Sequence, residues 1–162
     1  MNKTGFTLIE VLIVVIIVAV LSSVAMPKYS RSVERSRATE AIGMVQQVDD
    51  AIYAYYTEHQ TCPTKFSQLA VSMPVSGADT SSSVSTDNFT YTLRTSASST
   101  NYNVPATSCA GVLAERINSS KYKYYIWRNY ANKTRTFCHE KDSDTNSKTI
   151  CEMLDMHTTG NP

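Results

Sequence analysis

Residues 6–26 read FTLIEVLIVVIIVAVLSSVAM. At about 1.5 Å rise per residue, a helix of this length covers roughly the 30 Å of a bilayer's hydrocarbon. Glu10 is the one residue out of place. A carboxylate at the centre of a membrane helix costs roughly 3 kcal/mol on insertion scales, and less toward an end. Such residues are usually kept for a function and usually have a partner; the bland alternative is a glutamate that snorkels to the interface. A secretory signal would have a shorter apolar core ending on a small-residue cleavage site. Ser22, Ser23 and Ala25 mimic such a site, but Pro27 and a continuing amphipathic pattern favour a retained helix.

Cleavage between Gly5 and Phe6 would give Glu10 a partner. It creates an α-ammonium on Phe6, one helical turn from Glu10, because residues four apart share a face. The carboxylate then also lies in the first turn, where the helix dipole favours negative charge. If copies pack side by side with an axial shift, Glu10 of one chain meets the Phe6 ammonium of another. A charge pair buried among apolar helices sets register more than it adds stability.

Lys3-Thr4-Gly5-Phe6-Thr7-Leu8-Ile9-Glu10 resembles the prepilin motif of type IV pilins and type II secretion pseudopilins. The resemblance implies a leader, residues 1–5, cut after Gly5 on the cytoplasmic side by a prepilin peptidase that also N-methylates Phe6. It makes Glu10 the assembly residue and residues 6–26 a transmembrane and assembly helix, held in the bilayer before assembly. It further implies an inner-membrane assembly platform, polymerisation with copies of the chain and with other pilins, and an extracellular pilus as the destination. Lys28, Arg31, Arg35 and Arg37, partly offset by Glu34, follow the apolar run and only Lys3 precedes it. The local charge rule alone would therefore place the C-terminal side inside; a long translocated domain overrides that count, and the resemblance implies that the bulk of the chain lies outside.

From Lys28 to about Glu58 the pattern is helical, with Tyr29, Val33, Ala41, Val45, Val48, Ile52 and Tyr55 recurring at helical spacings. Arg35, Arg37, Glu40, Gln46, Gln47, Asp49 and Asp50 fill the polar face. Residues 27–60 are thus the amphipathic second half of one long helix. Pro27 removes a backbone donor and marks a local weakness or break, and in the pilin family the helix loosens at the matching place. Thr61-Cys62-Pro63 ends the helix, and Thr64–Leu69 adds a turn packing Phe66 and Leu69. Residues 76–88 read as an exposed polar loop. Asn88–Arg94 alternates as a strand with Phe89, Tyr91 and Leu93 on one face. Lys121–Arg128 is a second strand, and Thr134–Cys138 pairs with it through a turn at Tyr130–Lys133. Residues 109–117 fit strand or helix. The sum is an α+β fold in which residues 61–162 form a head: a three- or four-stranded antiparallel sheet packed on one long helix, resembling the pilin lollipop.

Cys62, Cys109, Cys138 and Cys151 are even in number, widely spaced and without a CxxC pair, which points to disulfides in an oxidising compartment. Of three possible pairings, Cys138–Cys151 is favoured because it closes a short polar loop, leaving Cys62–Cys109. A loop of about 15 residues is worth roughly 3 kcal/mol in the chain-entropy model. In the pilin family such a C-terminal loop is surface-exposed, which makes residues 139–150 a candidate contact surface.

Other constellations are weaker. Asp142-x-Asp144-x-Asn146 begins like a calcium loop but lacks the glycine at its sixth position and has Met153 at its twelfth, so a solvated acidic loop fits better. Cys138, His139, Cys151 and His157 lack a short ligand pair for zinc. No nucleophile–base, phosphate-loop or dinucleotide motif points to an enzyme, and no cofactor is implied. Lys121, Tyr122, Lys123, Tyr124, Tyr125, Trp127, Arg128 and Tyr130 mix rings with charge as single-stranded nucleic-acid surfaces do, yet alternation would bury half the rings. Asn88, Asn118 and Asn132 lie in sequons, which carry little weight in a bacterial secretion setting. A filament subunit is thus the leading expectation. The alternatives are a type II secretion pseudopilin, or a minor pilin with an adhesion or DNA-binding role.

Overall fold

The structure, a computed structural model, describes residues 5–73, 81–94, 109, 111–128, 136–141 and 144–156. Its elements are α1 (Leu8–His59), a 3-10 turn (Phe66–Gln68), β1 (Ser83–Ser85), β2 (Phe89–Arg94), β3 (Gly111–Arg116), β4 (Tyr124–Arg128), β5 (Thr136–Glu140) and α2 (Thr145–Met153). The chain divides into two units, the residues up to Glu34 and those from Arg35 on.

In the first unit every described residue from Gly5 to Tyr29 is exposed. The run is rich in Val and Ile, which lose side-chain freedom in a helix. What favours a helix for such a stretch in hydrocarbon is that it satisfies every backbone group internally. The helix continues through Pro27, so the weakness expected there is not a break in this structure.

In the second unit Ala38, Ala41, Val45, Val48 and Ile52 of α1 are buried, at alternating spacings of three and four. Two expectations for the stripe need correction. Tyr29 is 68% exposed, since it lies in the first unit and outside the packed stretch. Asp49, assigned to the polar face, is buried, because its carboxylate meets the Arg128 guanidinium of β4 at 3.2 Å. The helix stops at His59, where Gln60 takes a left-handed conformation (φ 55°) and its N–H bonds the Tyr56 carbonyl at 2.8 Å. Phe66 and Leu69 then pack into the core as expected.

The sheet is antiparallel, in the order β1-β2-β3-β4-β5. Among the described residues it has five strands rather than three or four. The addition is β1, within the stretch read as a loop. Only Val84 of its three residues faces the core, while Ser85 hydrogen-bonds Thr90 across the strands at 2.9 Å, so the sequence looked uniformly polar. Residues 76–80 of that stretch lie outside the described residues. Residues 111–116 are strand, which resolves the ambiguity there. The second expected strand begins at Tyr124 rather than Lys121. β5 spans Thr136–Glu140; Thr134, Arg135 and the turn at Tyr130–Lys133 lie outside the described residues.

One cross-strand row runs through all five strands: Val84, Tyr91, Ala114, Ile126, Cys138. All five are buried, in one cluster with the α1 stripe. Burial, together with the Glu40 carboxylate of α1, pushes the Tyr91 hydroxyl well above the ordinary tyrosine range.

Candidate functional site

The site begins at the first turn of α1. The Thr7 hydroxyl accepts from the Glu10 amide at 3.3 Å. In return the Glu10 carboxylate accepts from the Thr7 amide at 2.8 Å and from the Thr7 hydroxyl at 2.7 Å. This is a reciprocal capping box, Thr-x-x-Glu, which satisfies two amides that a helix start leaves without intrahelical partners. Glu10 therefore has a local partner at the head of the helix. The expectation placed its partner on Phe6 and took no account of Thr7. The signal was present, as Thr7 and Glu10 stand three apart just before the apolar run. Phe6 is 88% exposed, and nothing lies within 4 Å of where a Cβ on Gly5 would sit. Packing within the chain thus does not require glycine at position 5. Lys3 and Thr4 lie outside the described residues.

In the second unit the cysteines pair as Cys62–Cys109 and Cys138–Cys151, with Cα–Cα distances of 5.4 and 5.3 Å. The first ties the segment after α1 to the approach to β3. The second holds α2 against β5. The stretch between Cys138 and Cys151 was expected to be a loop; instead β5 continues to Glu140 and α2 begins at Thr145. The reason is a helix start within the stretch that resembles a calcium loop. Asp144 caps α2 by accepting from the Ser147 amide at 3.0 Å, and it also accepts from the Ser147 hydroxyl. The Ser147 hydroxyl in turn accepts from the Lys123 amide at 2.7 Å, fastening α2 to the approach to β4. Asp144 is thereby occupied, and the Ser147 hydrogen bond draws its carboxyl below the ordinary range. Asp142 and His157 lie outside the described residues. Among the described residues, no three His, Cys, Asp or Glu side chains gather as a metal site.

The aromatic and basic residues of 121–130 do not form one continuous surface. Tyr122, Tyr124 and Trp127 are buried, and Trp127 stacks on Phe137 with ring centroids 4.2 Å apart. Arg128 pairs with Asp49. Tyr125 stays partly exposed beside Lys141, whose ammonium bonds Glu115 at 2.7 Å. That bond, with help from Tyr125, raises Lys141 above the usual lysine range. Tyr130 lies outside the described residues.

Comparison with known proteins points to the same end of the chain. The family model described as "Prokaryotic N-terminal methylation motif" matches residues 1–26. The type IV major pilin protein PilE1 of Neisseria gonorrhoeae is 36% identical over 74 residues, 46% of this chain and 45% of the relative. The fimbrial protein EcpC of Eikenella corrodens is 32% identical over 75 residues, 46% of this chain and 49% of the relative. The competence protein ComGC of Halalkalibacterium halodurans is 29% identical over 68 residues, 42% of this chain and 67% of the relative. The chain spans about half the length of the first two of these relatives. The N-terminal motif, a long apolar first helix, a small antiparallel sheet and these relatives together make the chain similar to type IV pilins.

Proposed function

We propose that this chain is the structural subunit of a type IV pilus. In this reading residues 1–5 are a leader removed after Gly5 by a prepilin peptidase, which methylates the new amine of Phe6. Residues 6–26 hold the chain in the inner membrane, with residues 61–162 outside. Extraction at an assembly platform then transfers the apolar helix from lipid to a bundle of its own copies and other pilins. The residues around Pro27 are where the helix loosens in the filament.

The observation that carries this reading is Glu10. It is the single ionisable residue between Phe6 and Met26, at the head of an apolar run that is entirely exposed in the single chain. The Thr7 capping box gives the carboxylate a local partner while the chain is alone. Cleavage adds a stronger one, since a charge-assisted bond to an ammonium exceeds one to a neutral amide. Gly5 is compatible with the same reading: among the described residues nothing lies within 4 Å of a Cβ placed there. Mass spectrometry of the chain from its native host tests this. The expected mature end is N-methylated Phe6; an intact Met1, or an end near Ala25, would sink it.

The competence-protein relative favours a second reading, in which the chain is a minor or pseudopilus subunit rather than the bulk of a filament. Sheared filaments separate the two. A major subunit dominates their mass, and a minor one appears only as a trace.

A further inference from the structure

The apolar run ends at Met26 and is followed at once by Pro27-Lys-Tyr-Ser-Arg31. Lys28, Tyr29 and Arg31 are exposed, and Lys28 and Arg31, three apart, share one face of α1. No carboxylate occurs between Glu10 and Glu34, and Glu34, three residues beyond Arg31, is buried while the two cations are exposed. From Leu8 to Met26 the helix rises about 28 Å, which spans the hydrocarbon. Lys28 and Arg31 then stand roughly 3–8 Å beyond it, at the depth of the headgroups. A tyrosine is favoured at that same depth.

We propose that Lys28, Tyr29 and Arg31 form a collar that binds the phosphates of anionic phospholipids on the side of the membrane where the head lies. The proposal rests on the reading of residues 6–26 as a membrane span. Arginine forks two hydrogen bonds onto a phosphate, lysine adds a compact charge, and the tyrosine ring settles among the headgroups. The collar gives a physical reason for basic residues on the flank where the local charge rule disfavours them: lipid contact returns what orientation loses. It also fixes the depth of the helix, and so the depth of Glu10 at the opposite end of the run, before assembly begins.

The test is lipid selectivity of the full chain in phosphatidylcholine vesicles, read by electron spin resonance with trace spin-labelled phosphatidylglycerol or spin-labelled phosphatidylcholine. At low salt phosphatidylglycerol is expected to be enriched several-fold in the motionally restricted shell, with about fivefold per basic residue as the ceiling. The ratio falls toward one at ~0.5 M salt, where the screening length is about 4 Å. The double variant Lys28→Gln/Arg31→Gln loses most of the enrichment; Lys3→Gln, beyond the other end of the run, loses little. Equal ratios for the two lipids, or enrichment that survives the double variant and disappears with Lys3→Gln, would overturn the collar. Flotation after carbonate washing separates the two levels: a chain that leaves the vesicles overturns the membrane-span reading and the collar with it, and an inserted chain without selectivity overturns the collar alone.

Discussion

The two halves of α1 invert the usual relation between apolarity and burial. Residues 8–26 are almost wholly apolar and every one is exposed; residues 35–59 are mixed, and their apolar stripe is buried. In a soluble domain the most apolar segment is the best buried, because removing apolar surface from water drives folding. Here the second half finds its core within the chain. The first half finds none, and exposed apolar patches of that size mark a surface made for a membrane or for other protein. The chain is therefore self-sufficient only in its second unit, and changes in the two halves should be felt in different experiments.

The largest effect on the folding of the second unit should come from Cys62→Ala/Cys109→Ala. That disulfide closes a separation of 47 residues, against 13 for Cys138–Cys151. Chain entropy predicts losses of about 4 and about 3 kcal/mol respectively, measured by denaturant unfolding of the head in detergent. If cutting the shorter loop cost more, α2 would be the keystone of the head rather than the anchor after α1. Next comes a matched pair across the boundary. Ile126→Ala, in the centre of the buried row, should cost about 3 kcal/mol. Ile16→Ala, 55% exposed, should change the same transition by less than about 0.5 kcal/mol and be felt only where copies pack. Equal effects would erase the distinction between the halves. Within the second unit the smallest effect is Asp144→Ala, expected to cost about 1 kcal/mol through loss of the α2 cap. Because the folded-state pKa of Asp144 lies below its ordinary 3.8, its contribution is fully present above that value and lost as pH falls through the folded pKa. The gap between the parent and Asp144→Ala should therefore narrow in acid, not at neutral pH.

How much of this was legible in the sequence follows from which forces act locally. The α1 stripe from Ala41 to Ile52 and the alternation of Phe89, Tyr91 and Leu93 were readable, because periodicity records which face is buried. β1 was not, since a three-residue strand with one inward side chain leaves no period to detect. Asp49 was misplaced because helical spacing cannot announce that an arginine of β4, 79 positions later (128 − 49), will meet it. The start of α2 was obscured by a resemblance to a metal loop. Asp144 and Ser147 stand in cap spacing, but acidic residues three apart from a hydroxyl fit several structures. At the candidate site Glu10 stood out by its cost in an apolar run, whereas Thr7 was passed over because it looked like part of the processing motif. Its role as a helix cap emerged only when the reciprocal hydrogen bonds placed it.

The most direct measurement is incorporation of Glu10 variants into filaments, scored as the sheared, sedimentable fraction against total chain in the membrane. Glu10→Gln keeps the size and most of the hydrogen-bonding capacity of the side chain, including acceptance from the Thr7 amide, and removes only the charge. Glu10→Leu removes both. If charge pairing with the processed Phe6 sets assembly, both variants should be cut after Gly5 and remain in the membrane, yet fall at least tenfold in filaments. Incorporation of Glu10→Gln at the parent's level would contradict that account and leave Glu10 as a helix cap alone.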